Sequence, residues 1–124
     1  MATAPVLEDD AKVLAHLRGY PDDLRQFSNL VKQAHPRGIS ALRLVLGRPQ
    51  ASDSFVAAVC RAVAEGIPIV SAVEAAERFG LPPRRFLDEV AARPDFPAPW
   101  FASGDRRLWR AEDVERYRAV RPPG

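Results

Sequence analysis

Apolar residues recur at helical spacing through most of the chain. Val13, Leu14 and Leu17 share one face of a first predicted helix, with Asp9 or Asp10 placed to cap it and Gly19 to stop it. Pro21-Asp22-Asp23 opens a second, in which Leu24, Phe27, Leu30, Val31 and Ala34 form an apolar stripe. Arg25, Gln26 and Lys32 fall outside that stripe, and Pro36 and Gly38 end the helix. Residues 39–46 form a short apolar segment, helical after Ser40 and closed by Gly47-Arg48-Pro49. Ser52 or Asp53 is then set to cap a fourth helix carrying Phe55, Val56, Val59, Cys60 and Val63, stopped by Gly66. Residues 1–66 thus read as a small helical bundle.

The pattern changes after Gly66. Ile67-Pro68-Ile69-Val70 is a brief extended joint. Ser71-Ala72-Val73-Glu74 is a capping box, in which the serine side chain and the glutamate each satisfy a free backbone N–H of a helix start. That helix runs to Phe79, where Gly80 supplies the stop. Pro82-Pro83 begins another helix, because proline is tolerated in a first turn, and Phe86, Leu87, Val90 and Ala91 give it an apolar face. Pro94, Pro97 and Pro99 then forbid regular helix. Trp100-Phe101-Ala102 and Arg107-Leu108-Trp109-Arg110 flank Ser103-Gly104-Asp105-Arg106, which predicts a two-stranded β-hairpin. Ala111-Glu112-Asp113 puts acids in the first turn of a last helix, with Val114, Tyr117 and Val120 inward. Pro122-Pro123-Gly124 reads as a tail.

Charge narrows the reading only slightly. In 124 residues, 18 Lys or Arg face 16 Asp or Glu, a net charge of +2 that does not by itself imply nucleic-acid binding. Only Lys12 and Lys32 are lysines, so arginine carries nearly all the positive charge. Arginine offers a planar fork to phosphates and guanine edges, although an excess of Ala, Arg and Pro also follows from a GC-rich genome. No apolar run is long enough to span a bilayer, and Met1-Ala2-Thr3-Ala4-Pro5-Val6 lacks the start of a signal peptide, so a cytoplasmic protein that does not enter membranes is expected.

The sequence gives catalysis little support. His16 and His35 stand apart from any nucleophile, and Cys60 lies on an apolar stripe as a core thiol. Gly38 and Gly47 are isolated, so there is no phosphate-binding loop, and two histidines with one cysteine make a poor zinc set. We therefore expect no catalytic residues, no metal and no cofactor.

Helix, tight turn, helix, proline-rich corner, hairpin and helix follow one another over residues 70–117. Arg93-Pro94-Asp95-Phe96-Pro97-Ala98-Pro99 and Trp109-Arg110-Ala111-Glu112-Asp113-Val114 are the most specific pieces of this stretch. It resembles the MerR-like winged helix-turn-helix of AlpA-type phage regulators and excisionases. The resemblance implies a mainly α chain in two parts: a helical bundle over 1–66 and a winged module with a two-stranded wing over 67–124. It further implies that the helix over 83–92 enters the major groove of double-stranded DNA while the hairpin tip touches the backbone nearby. Carried onto this chain, the DNA-binding candidates are Arg84 and Arg85 on the helix, Ser103, Gly104, Arg106 and Arg107 at the wing, and Arg110. Leu81-Pro82-Pro83 departs from the family, which usually carries Ser or Thr at the start of this helix.

The implied function is that of a transcriptional regulator or an excision-directionality factor. It would work as a homodimer or as a cooperative oligomer on DNA. The competing expectation is a protein-interaction adaptor or assembly factor, favoured by Asp88 and Glu89, which weaken the positive field of the helix. Residues 1–66 admit oligomerisation, docking of a protein partner, or a second DNA-binding unit built from 39–46 and 52–64.

Overall fold

The structure is a computed structural model and describes residues 7–120. The first residues, read above for a signal peptide, and the Pro122-Pro123-Gly124 tail lie outside them. The protein is mainly helical with one small antiparallel sheet. It divides between Gly66 and Ile67 into two compact units.

In the first unit, α1 (Glu8–His16), α2 (Pro21–Ala34), α3 (Ala41–Leu46) and α4 (Phe55–Ala64) surround a core that includes Val13, Leu17, Phe27, Leu42, Val45 and Val59. A short 3-10 turn over His35–Arg37 follows α2. Asp10 does not cap α1, which starts from Leu7 without a side-chain cap. Its carboxylate instead points inward, 3% exposed, and accepts the backbone N–H groups of Ala41 (2.9 Å) and Leu42 (3.0 Å). Ser40 Oγ accepts the N–H of Arg43 at 3.2 Å. Three N–H groups at the start of α3, which have no partner within the helix, are thus satisfied by two side chains. These bonds add to the burial of Ala41, Leu42 and Val45 in holding a helix of only six residues.

The cap of α4 is Ser54 rather than Ser52 or Asp53, because a turn returns the N–H of Ser54 to the carbonyl of Ala51. The six residues from Phe55 to Cys60 are all buried, so α4 is enclosed on nearly every side rather than along one stripe. Burial pushes the Cys60 thiol up to about 12, with the nearby charge of Asp10 adding to the effect.

In the second unit, β1 (Ile69–Ser71), α5 (Ala72–Arg78), α6 (Pro83–Arg85), β2 (Phe101–Ser103), β3 (Arg106–Arg110) and α7 (Ala111–Val120) follow in order. The expected extended joint is a strand: β1 pairs antiparallel with β3, matching Val70 to Trp109. The sheet therefore has three strands in the order β1-β3-β2, not the two of the expected wing. Ile69 and Val70 account for this, since both are β-branched and both are buried.

The core of this unit includes Val70, Ala75, Ala76, Phe86, Val90, Phe96, Trp109, Val114 and Tyr117. Val120, expected inward, is 74% exposed at the end of α7. Phe96 is the hub of the aromatic cluster, with ring centroids 5.7 Å from Phe86, 5.6 Å from Trp109 and 4.9 Å from Tyr117. The buried indole of Trp109 donates its N–H to the carbonyl of Pro97 at 3.0 Å, so the polar atom of the largest core side chain is satisfied.

Candidate nucleic-acid interface

Local chemistry fixes the helix pair. Both halves of the capping box form: Ser71 Oγ accepts from the N–H of Glu74 (3.1 Å), and Glu74 Oε1 accepts from the N–H of Ser71 (3.0 Å). At the other end of α5, Gly80 takes φ +67°, which a side chain would strain. The Gly80 N–H then reaches the carbonyl of Glu77, and that of Leu81 reaches Ala76. This pair of bonds is the Schellman stop, and it aims the chain into the next helix. Pro82 is extended and Pro83 occupies the first helical position.

That second helix is α-helical only over α6. It continues as a π-helical turn over Phe86–Val90, where the Ala91 N–H bonds the carbonyl of Phe86. Regular helix to Ala92, the expectation, is not reached. Phe86 and Val90 are buried in the aromatic cluster, so Arg84 and Arg85 are left on the exposed side of the first turn.

Both arginines are engaged. Arg84 Nη2 donates to Asp105 Oδ2 at 2.9 Å, and its Nη1 lies 3.8 Å from Asp88 Oδ1. Arg85 grips Glu89 through Nε at 2.6 Å and Nη2 at 3.5 Å. The hydrogen bond raises Arg85 above its usual range and lowers Glu89 below that of a carboxylate.

The predicted hairpin forms, with a two-residue turn. Ser103 pairs with Arg106, and Gly104-Asp105 make the turn. Gly104 has φ +60° and Asp105 does not have positive φ, the pattern of a type II′ turn. Arg107 Nε donates to the carbonyl of Gly104 at 3.2 Å, which braces the tip. Ser103, Arg106 and Arg107 are half-buried, while Gly104 and Asp105 are exposed.

The bond between Arg84 and Asp105 therefore brings the helix start and the hairpin tip to one place. Arg84, Arg85, Ser103, Gly104, Arg106 and Arg107 belong to these two elements. Arg110 is four strand positions from Arg106, roughly 13 Å along β3, and pairs in register with Ile69 at the other end of the sheet. Asp105 is the residue that sequence reasoning missed. Its partner lies 21 positions away, so no local spacing points to it. The pairs of Arg84 with Asp88 and Arg85 with Glu89 are different, because their i,i+4 spacing is visible in the sequence.

The patch is charged and largely open to solvent. Five of its ionisable groups, Arg84, Arg85, Asp88, Glu89 and Asp105, are exposed and the other two, Arg106 and Arg107, are half-buried. Among the described residues, no group of three or more His, Cys, Asp or Glu side chains is placed to hold a metal ion. No described helix is long and apolar enough to cross a membrane. No protein-family model, no curated protein and no solved structure matches this chain.

Proposed function

We propose that the second unit is a winged helix-turn-helix that binds double-stranded DNA, and that the protein is a sequence-specific DNA-binding regulator of phage or mobile-element type. Its role is that of a transcriptional regulator or an excision-directionality factor. The observation that carries the reading is the 2.9 Å bond between Arg84 and Asp105, which sets the start of the second helix beside the wing tip. A groove-reading helix flanked by a backbone-touching wing needs that adjacency. The resemblance of residues 70–117 to AlpA-type modules supports the same assignment.

In this reading Arg84 and Arg85 meet base edges or phosphates in the major groove, and Arg106 and Arg107 hold phosphates at the wing. The internal ion pairs of Arg84 and Arg85 are compatible with this. Exposed pairs contribute little to stability, and a phosphate interaction of similar strength offsets their loss. One such module covers only about 600–1,000 Å² on DNA, so useful specificity calls for a second copy, as a homodimer or a cooperative oligomer.

The first unit then serves protein contact. A reading helix needs an exposed N-terminal face, and the first residues of α4, Phe55, Val56, Ala57 and Ala58, are all buried. This burial argues against a second DNA-binding unit there.

The same ion pairs favour a second reading, an adaptor or assembly factor that keeps the winged fold without reading DNA. Fluorescence anisotropy with random duplex at two salt concentrations separates the two. DNA binding predicts affinity that falls as salt rises. Arg106→Ala plus Arg107→Ala should then flatten the log–log slope by about 0.9 for every phosphate no longer neutralised. A folded protein that does not bind duplex at low salt supports the adaptor.

A further inference from the structure

We propose that Asp105 is a specificity-determining residue, an internal competitor that holds Arg84 until a matched site offers a better acceptor. The inference rests on the DNA-binding reading above and concerns how that interface discriminates.

Three features single out this carboxylate. It reaches Arg84 from the wing, whereas Asp88 and Glu89 sit on the same helix as the arginines they pair with. It is presented by a braced turn, since Arg107 holds the carbonyl of the preceding Gly104. The pair is open to exchange, with side chains 67% and 61% exposed, so an incoming phosphate or guanine edge can reach the guanidinium.

The consequence follows from competition. On random duplex the geometry is loose, Arg84 stays with Asp105, and its bond to DNA is not made. At a matched site an acceptor is fixed within reach of Arg84, and the exchange is compensated. Asp105 thus weakens random binding more than specific binding. Arg85 is not subject to this control, because its partner Glu89 moves with its own helix.

The experiment is a cycle of Asp105→Asn, Arg84→Ala and the double variant. Each is titrated onto a selected site and a scrambled duplex, at several salt concentrations. Asp105→Asn should tighten scrambled binding about three- to fivefold, the upper end of what an exposed ion pair contributes. Its log–log salt slope should steepen by about 0.9, because the released Arg84 neutralises one more phosphate. The selected site should gain less than about twofold, and the Arg84→Ala background should abolish the gain.

Equal gains on both duplexes, or a gain that persists without Arg84, would overturn the competitor role. So would wild-type binding that Asp105→Asn leaves unchanged. Failure of the wild type to bind either duplex would overturn the DNA reading, and this inference with it. The pair itself is read without DNA: ¹⁵Nε relaxation should show a looser Arg84 guanidinium in Asp105→Asn, and an unchanged guanidinium would refute the pair.

Discussion

Replacing Asp10 by alanine probes the first unit most severely. The carboxylate is buried and accepts two adjacent N–H groups at the start of α3. Hydrogen bonds to a charged acceptor contribute about 1.5–3 kcal/mol each, and two that share one carboxylate do not add fully. The alanine variant leaves both donors buried and unsatisfied, so a loss of about 3 kcal/mol is expected. A unit of about 60 residues has a total stability of only about 3–9 kcal/mol at typical values per residue. Asp10→Ala should therefore remove at least about a third of the stability of the first unit. Asp10→Asn retains one acceptor oxygen and should lose about half as much. Ser40→Ala, which removes a single neutral cap, should cost about 1 kcal/mol. Trp100 and Trp109 both lie in the second unit, so tryptophan fluorescence is the wrong probe. Urea titration followed by residue-resolved NMR at Val13, Leu42 and Val59 reads the right region. An Asp10→Ala variant within about 0.5 kcal/mol of wild type, the range of an ordinary surface substitution, would refute the reasoning.

In the second unit, Phe96→Ala empties the hub of the aromatic cluster and should cost about 3–5 kcal/mol, seen as lost dispersion of the amide spectrum over residues 67–120. Gly104→Ala meets no atom within 4 Å, so its cost should be the backbone strain of the positive φ alone, about 1–3 kcal/mol, read from chemical denaturation. Burial keeps the Cys60 thiol protonated in the folded state up to about pH 12, whereas an unfolded chain ionises it near 9. Stability should therefore fall as pH rises from 9 to 12, by about 4 kcal/mol relative to Cys60→Ala, in paired denaturation curves. Exposed Arg85 and Glu89 form a pair whose contribution is lost as acid titrates Glu89 through its lowered pKa, and Glu89→Gln should remove that acid-side dependence.

Signals confined to a few neighbouring residues were legible in the chain. The Ser71/Glu74 capping box, the Gly80 stop, the proline start at Pro83 and the Gly104-Asp105 turn all act over a single turn of chain, and each forms where the sequence puts it. The apolar face of the second helix was legible too, because Phe86 and Val90 follow helical spacing.

Pairings between distant residues were not legible. Asp10 has the same local setting as any helix-start acid, and only the folded chain brings it to α3, 31 positions later. Pairing of β1 with β3 joins Ile69 to Arg110 across the whole module, and a three-residue strand carries too little pattern to announce it. The π-helical turn after Arg85 has no sequence signature of its own. In the candidate interface the arginines were legible as residue types, but the partner that joins helix to hairpin was not.

Titration of ¹⁵N-labelled protein with a duplex at low salt, followed by amide chemical shifts, tests the DNA-binding claim most directly. A winged helix-turn-helix on DNA predicts shifts that concentrate over residues 82–90 and 102–108 and diminish as salt is raised. Absence of shifts at low salt, or shifts confined to residues 7–66, would contradict it.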